Sequence, residues 1–290
     1  MLDLAAGPGG VGHRAAELVV PDGGVLSADL ATAMVEAAQR IGAQRGLSNV
    51  EYRVMDAQAI DLDDDAVDVI VCRSGFMLMP HPADALREAR RVLRTGGNLA
   101  FSVFAAPERT PYVGVPPSVF IELGHLQPPP PGAPGVFAMS DPSRIRELLV
   151  EAGFQAQAIE AIDLEGPFPN EEVIVVRIFE LNTQVGPVYR SLDDDEQANA
   201  RQVLIDRFGA FRQGDGTVVL PTQCGEYTHA DPTAPHTGVR SVTDGTPRSA
   251  RPVPTAEIST IRGRRATGCS TRPSPVPSNW SLGVGLSGLA

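Results

Sequence analysis

Apolar and polar positions along the first hundred residues repeat with two periods in turn. Met1–Leu4, Val25–Ala28, Glu51–Val54, Val67–Cys72 and Leu99–Phe104 have strand length and strand composition. Val67–Cys72 (VDVIVC) is nearly continuous in apolar residues, as a strand covered on both faces should be. Helical spacing fills the gaps between them. Val11–Val19 sets Val11, Ala15 and Leu18 on one face, and Ala31–Ala43 sets Met34, Ala38 and Ile41 on another. Pro82–Arg94 begins with proline in its first turn, which predicts burial of Ala85, Leu86, Ala89, Val92 and Leu93 and an end at Gly96-Gly97. The alternation has βαβ spacing and predicts an α/β fold.

Past Phe104 the rhythm changes. Residues 105–140 form a long proline- and glycine-rich insertion, and a connection of that length is usually functional or mobile. Asp141-Pro142 has the form of an N-cap followed by proline at the first helical position. The helix it opens turns Ile145, Leu148, Leu149 and Ala152 inward and stops at Gly153. Ala156–Leu164 reads as a strand, Glu171–Asn182 and Asp193–Phe208 as helices, and Thr217–Leu220 as the start of a last strand. Asp193-Asp194-Asp195 suits a helix N-terminus, where negative charge meets the dipole, so it is read as structural and not as a metal site.

Composition changes abruptly near residue 222. Residues 1–221 hold 17 Arg against 31 Asp and Glu, whereas residues 222–290 hold 7 Arg against 4 acids. Those last 69 residues contain 18 Ser and Thr, 8 Pro, 8 Gly and no Phe, and only 10 are Ile, Leu or Val. Such a stretch buries too little apolar surface to offset its ordering entropy, so 222–290 is expected to be a disordered tail. Within it Trp280 and Arg262-Gly263-Arg264-Arg265 are a partner motif or carry no function. The body's acidity argues against nucleic acid as a partner. Cys72, Cys224 and Cys269 give neither a disulfide framework nor a zinc signature, which points to a reducing cytoplasm. There is no apolar run of membrane-spanning length. All 24 basic residues are arginine, which excludes a P-loop lysine, a Schiff base and a Tyr-x-x-x-Lys dehydrogenase pair.

The sharpest chemical signal is Asp3-Leu4-Ala5-Ala6-Gly7-Pro8-Gly9-Gly10-Val11-Gly12, placed where a strand gives way to a helix. Glycines there let backbone approach a ligand, and the helix start presents free N–H groups. Gly7-x-Gly9-x-x-Gly12 satisfies a dinucleotide fingerprint, and Asp29, about twenty residues on, is placed to grip a ribose diol. Two cofactor classes fit at this point. Asp3 separates them, because a carboxylate facing the loop suits an ammonium group and repels a pyrophosphate. Asp56-Ala57 follows the third strand, where a carboxylate can accept from an adenine amino group. Asp68-Val69-Ile70-Val71-Cys72-Arg73 then leads by a short loop to Arg87-Glu88-Ala89-Arg90-Arg91-Val92-Leu93-Arg94-Thr95-Gly96-Gly97.

This ordered set resembles the class I S-adenosylmethionine-dependent methyltransferases, of the small-molecule type similar to ubiquinone/menaquinone-biosynthesis enzymes. The resemblance covers residues 1–104 and more loosely extends to 221. It implies a Rossmann-like, doubly wound, mostly parallel sheet of seven strands in order 3-2-1-4-5-7-6, with the cofactor across the strand ends. It implies Asp3 toward the methionine ammonium, and Ala5, Gly7 and Gly9 under the methionine and ribose. Asp29 would lie on the ribose hydroxyls with Leu30 and Met34 packed nearby, Asp56 and Ala57 on adenine, and Arg73 beside the methyl donor and substrate. Ala5 stands where the family's loop usually has its first glycine.

An oxygen or nitrogen acceptor needs a general base, and His81 and His125 are the candidate imidazoles; a carbon acceptor needs none. His81, before Pro82, is read first as a turn residue, His13 as structural and Cys72 as a small buried residue. Met1 falls inside the first motif strand, so an N-terminally truncated domain is expected, and the break near 222 suggests a late reading-frame change. The leading expectation is methyl transfer to a small-molecule metabolite. An NAD-dependent oxidoreductase and a truncated, inactive binding module are the alternatives.

Overall fold

A computed structural model describes residues 1–229 apart from Pro131, Ala156 and Gln157. Its N-terminal strands and helices alternate as β1 (Leu2–Leu4), α1 (Gly10–Leu18), β2 (Val25–Asp29), α2 (Thr32–Gln44), β3 (Val50–Val54), β4 (Val67–Arg73), α3 (Pro82–Val92) and β5 (Leu93–Phe104). There follow α4 (Pro111–Glu122), α5 (Pro142–Glu151), β6 (Ala158–Phe168), α6 (Glu171–Leu181), α7 (Val185–Ser191), α8 (Asp194–Gly209) and β7 (Val218–His229). The strands form one sheet in order β3-β2-β1-β4-β5-β7-β6. β1 to β5 pair in parallel, and β7 runs antiparallel between β5 and β6. This is the expected seven-stranded order.

The central strands are apolar because the sheet is covered on both sides there. Leu2, Leu4, Ile70, Cys72, Leu99 and Phe101 are buried with Leu86 and Val92 of α3 and Leu148 and Leu149 of α5. Phe101 sits between Phe76, edge-on at 5.2 Å, and Tyr227, stacked at 4.9 Å. Each such side chain contributes about 1.5–3 kcal/mol when fully buried. A second apolar cluster joins α4, α6, α7 and α8 to the far end of the β6–β7 ribbon through Phe120, Ile174, Val185, Leu204, Phe208 and Val218. There Arg212 donates both Nε and Nη2 to Glu171 at 2.8 Å, a fork pair tying the start of α6 to the end of α8.

The caps behave as their residue types dictate. Asp141 accepts from Ser143 N at 2.8 Å ahead of α5. Asp193 and Glu196 exchange backbone bonds in a capping box on α8, which gives the aspartate run its structural role.

The structure departs from the sequence pattern at five places. On α1 the buried face is Gly12, His13 and Ala16, and Leu18 is 65% exposed. The helix lies so close to the sheet that a Cβ at Gly12 would stand 2.9 Å from Asp3 Oδ2, and no leucine side chain fits there. On α2 Ile41 is likewise exposed, and Ala38 and Gly42 are buried. Gly96-Gly97 does not end α3, which stops at Val92. The pair lies inside β5 at a bulge where pairing skips from Val67–Leu93 to Val69–Asn98. The 105–140 insertion contains α4, with Pro111 at the helix start and Pro116 and Pro117 within it. Finally, β7 continues through His229, past the compositional break at 222. Trp280, the arginine run and Cys269 lie outside the described residues.

Candidate functional site

The site is built at the carboxyl ends of β1, β2, β3 and β4. β1 runs into a loop with three left-handed residues: Ala5 at φ 51°, Gly7 at 55° and Gly9 at 84°. Ala6 N bonds Ala28 O and Gly9 N bonds Ala6 O, both at 3.0 Å, which folds the loop back onto β2. Gly9 is the N-cap of α1 and supplies no side-chain acceptor, and of the first helical N–H groups Gly12 N is taken by Asp3. A Cβ on Gly7 would meet nothing within 4 Å, so the space above the loop is open.

Two carboxylates hold this loop. Asp3, 1% exposed in β1, accepts from Gly12 N at 2.7 Å through Oδ2. Asp29, at the end of β2, accepts from Gly7 N at 2.8 Å and from Ala31 N at 2.9 Å. One oxygen of Asp29 therefore fixes the loop and the other fixes the start of α2. Burial raises Asp3 to a pKa of about 7; the Gly12 bond and Arg73 oppose the rise, and Asp29 adds to it. A carboxyl held there near neutrality gains strongly from a cationic partner.

Met55 N bonds Asp29 O at 3.0 Å, bringing the segment after β3 beside the end of β2. Asp56 caps its own turn by accepting from Gln58 N at 2.8 Å, and Ala57 is buried. Leu30 is exposed at the rim and Met34 is half-buried on α2. Arg73, at the end of β4, reaches across to α1, where its Nη2 would lie 3.2 Å from a Cβ on Gly10. Asp3, Ala5, Gly7, Gly9, Asp29 and Arg73 are thus gathered around one loop, with Asp56 and Ala57 on the adjoining turn.

The two imidazole candidates differ in setting. His81 precedes α3; its backbone N bonds Gln58 Oε1 at 2.9 Å and its side chain is exposed. His125 packs edge-on against Phe120 at 6.1 Å, in the second apolar cluster. Sequence reasoning missed Gly75. A Cβ there would stand 2.6 Å from Ala5 Cβ and 2.7 Å from Cys72 Sγ. The only sequence signal for it is a glycine two residues after the β4 strand. Among the described residues no group of acids, histidines and cysteines could hold a metal ion, and no helix is long and apolar enough to cross a membrane.

Comparison with known proteins agrees with this geometry. Residues 1–113 match a family described as "Methyltransferase domain". The ubiquinone/menaquinone biosynthesis C-methyltransferase UbiE of Ectopseudomonas mendocina is 32% identical over 108 residues, 37% of this chain and 42% of that protein. The same enzyme of Pseudomonas savastanoi is 33% identical over the same shares. The chain therefore spans about two fifths of the length of these relatives. The crystal structure of the BH2331 protein of Bacillus halodurans superposes with a TM-score of 0.53 at 21% identity, over 80% of this chain and 92% of that one. The YcgJ protein of Bacillus subtilis gives 0.52 at 20% identity, over 79% and 90%. Residues 1–113 thus match a methyltransferase domain, and the sheet order is the one that the resemblance to class I S-adenosylmethionine-dependent methyltransferases implies.

Proposed function

We propose that this chain binds S-adenosylmethionine over the Ala5–Gly9 loop and transfers its methyl group to a small-molecule metabolite. The observation that carries the reading is Asp3: a buried carboxyl beneath an open, left-handed loop, with a single hydrogen bond to Gly12 N and no full counter-charge. The residues present fit the group. Asp3 would hold the methionine ammonium, with Ala5, Gly7 and Gly9 beneath the methionine and ribose. Asp29 would take the ribose hydroxyls with the lone pairs its two backbone bonds leave free. Asp56 and Ala57 would hold the adenine, Leu30 and Met34 would flank it, and Arg73 would sit beside the donor and the acceptor.

When bound, the sulfonium supplies an already activated methyl group for in-line displacement. The protein's part is then alignment and exclusion of water. His125 packs against Phe120 and His81 is exposed beside Gln58 of the Asp56 turn, and a carbon acceptor would need neither as a base. That agrees with the carbon chemistry named for the relatives, so a carbon acceptor is the first class to screen. The NAD reading is weakened by the same geometry. Asp3, bonded to Gly12 N beneath the loop, sets a carboxyl where a pyrophosphate would need donors. Separate calorimetric titrations with S-adenosylmethionine and NAD decide between them. Binding of NAD alone overturns the proposal, and binding of S-adenosylmethionine without demethylated product in a metabolite extract leaves a binding module.

A further inference from the structure

His13 belongs to none of the roles above, and it is 1% exposed in the first turn of α1. Its imidazole edge lies directly on Gly9. A Cβ at Gly9 would stand 2.6 Å from both Cε1 and Nε2 of His13 and 3.1 Å from Ala38 Cβ. Nε2 shares a hydrogen bond of 3.1 Å with Tyr52 Oη, and the two rings meet edge-on at 5.9 Å. Tyr52 projects from β3 across α2 at Gly42, where a Cβ would fall 1.8 Å from its hydroxyl. Two glycines, on the loop and on α2, therefore leave the space this pair fills.

We infer that His13 and Tyr52 are positioning residues: a strut that braces the left-handed Gly9 and ties the loop to the strand leading into Asp56. The inference rests on the proposed use of the loop as the cofactor cradle. β3 carries Tyr52 in the middle and Asp56 just beyond its end, so the strut spans from one half of that cradle to the other. Its environment suits a neutral ring. Burial and then Arg45 hold the His13 imidazole below its ordinary range, against the opposing pull of the Ala38 carbonyl and Glu17. The strut adds no group to the chemistry and acts only through the shape of the loop.

Tyr52→Phe removes one hydroxyl and keeps the ring. In the full chain it should speed amide hydrogen exchange of residues 7–12 about 5–10-fold, leave exchange in α5 and α8 unchanged, and weaken S-adenosylmethionine about 3–10-fold. His13→Phe should do the same, the double variant should be no worse than either single one, and His13→Gln, whose amide can reach Tyr52, should recover most of the loss. Unchanged loop exchange in Tyr52→Phe overturns the strut, as does a rise shared equally by α5 and α8. The exchange measurement needs no ligand. If the parent chain fails to bind S-adenosylmethionine while the loop still loosens in Tyr52→Phe, the strut stands and the cofactor reading alone falls.

Discussion

Ala5 and Gly75 interlock: the methyl group of the one occupies the space where the other has no side chain, with 2.6 Å between Ala5 Cβ and a Cβ built on Gly75. Ala5 also holds φ 51°, a conformation glycine adopts freely and alanine does not. Gly75→Ala should therefore destabilise the protein by about 1–3 kcal/mol through crowding against Ala5 and Cys72. Ala5→Gly should be neutral or stabilising by about 1 kcal/mol. Chemical denaturation of both variants checks this, and an unaltered Gly75→Ala midpoint would show that the notch has room to spare.

Gly12 packs α1 tightly against β1 and β2. Gly12→Ala places a methyl group 2.9 Å from Asp3 Oδ2 and should push the carboxyl out of line. Affinity for S-adenosylmethionine should fall at least about tenfold with the fold retained, since a few tenths of an ångström of movement relieves the contact. Calorimetry together with a far-ultraviolet spectrum separates the two effects.

Asp29 bonds the loop and α2 simultaneously. Asp29→Ala leaves two backbone N–H groups without their acceptor and should cost about 1–3 kcal/mol of stability. Asp29→Asn keeps one acceptor oxygen and should cost less. A ranking in which the two variants melt alike would show that the backbone bonds carry little.

The pKa of Asp3 gives a pH dependence with a definite sign. Its folded value, about 7, lies above the ordinary 3.8, so the folded state binds the proton more tightly than the unfolded chain. The contribution of this group to stability therefore falls as pH rises from about 4 through 7. Asp3→Asn, whose amide oxygen still accepts from Gly12 N, should remove that fall and melt higher than the parent at pH 7.5. Binding of an ammonium group runs the other way, because it needs the carboxylate. Affinity for S-adenosylmethionine should drop about tenfold per pH unit below 7. Melting and titration between pH 5.5 and 7.5 check both slopes.

The central parallel strands β1, β4 and β5 are legible in the sequence because their apolar runs are largely buried. The loop after β1 is legible because its glycines and acids sit at fixed offsets. What escapes is decided by packing distance. Leu18 on α1 is outward because Gly12 and Ala16 let the helix approach the sheet more closely than a leucine face would. α4 escapes because prolines signal a break, although Pro111 sits at a helix start where no donor is lost. α7 escapes because Gly186-Pro187 interrupts its pattern. Among the site residues, Asp3, Gly7, Gly9 and Asp29 carry a pattern of their own. The fit of Ala5 to Gly75 and of His13 to Gly9 depends on separations that exist only after folding.

The most direct test of the central claim is calorimetric titration of the full chain and of Asp3→Asn with S-adenosylmethionine at pH 7.5. The account predicts saturable binding by the parent chain and at least tenfold weaker binding by a variant that melts no lower. Equal affinity in the two proteins would show that Asp3 does not hold the ammonium group and would contradict the assignment of the loop.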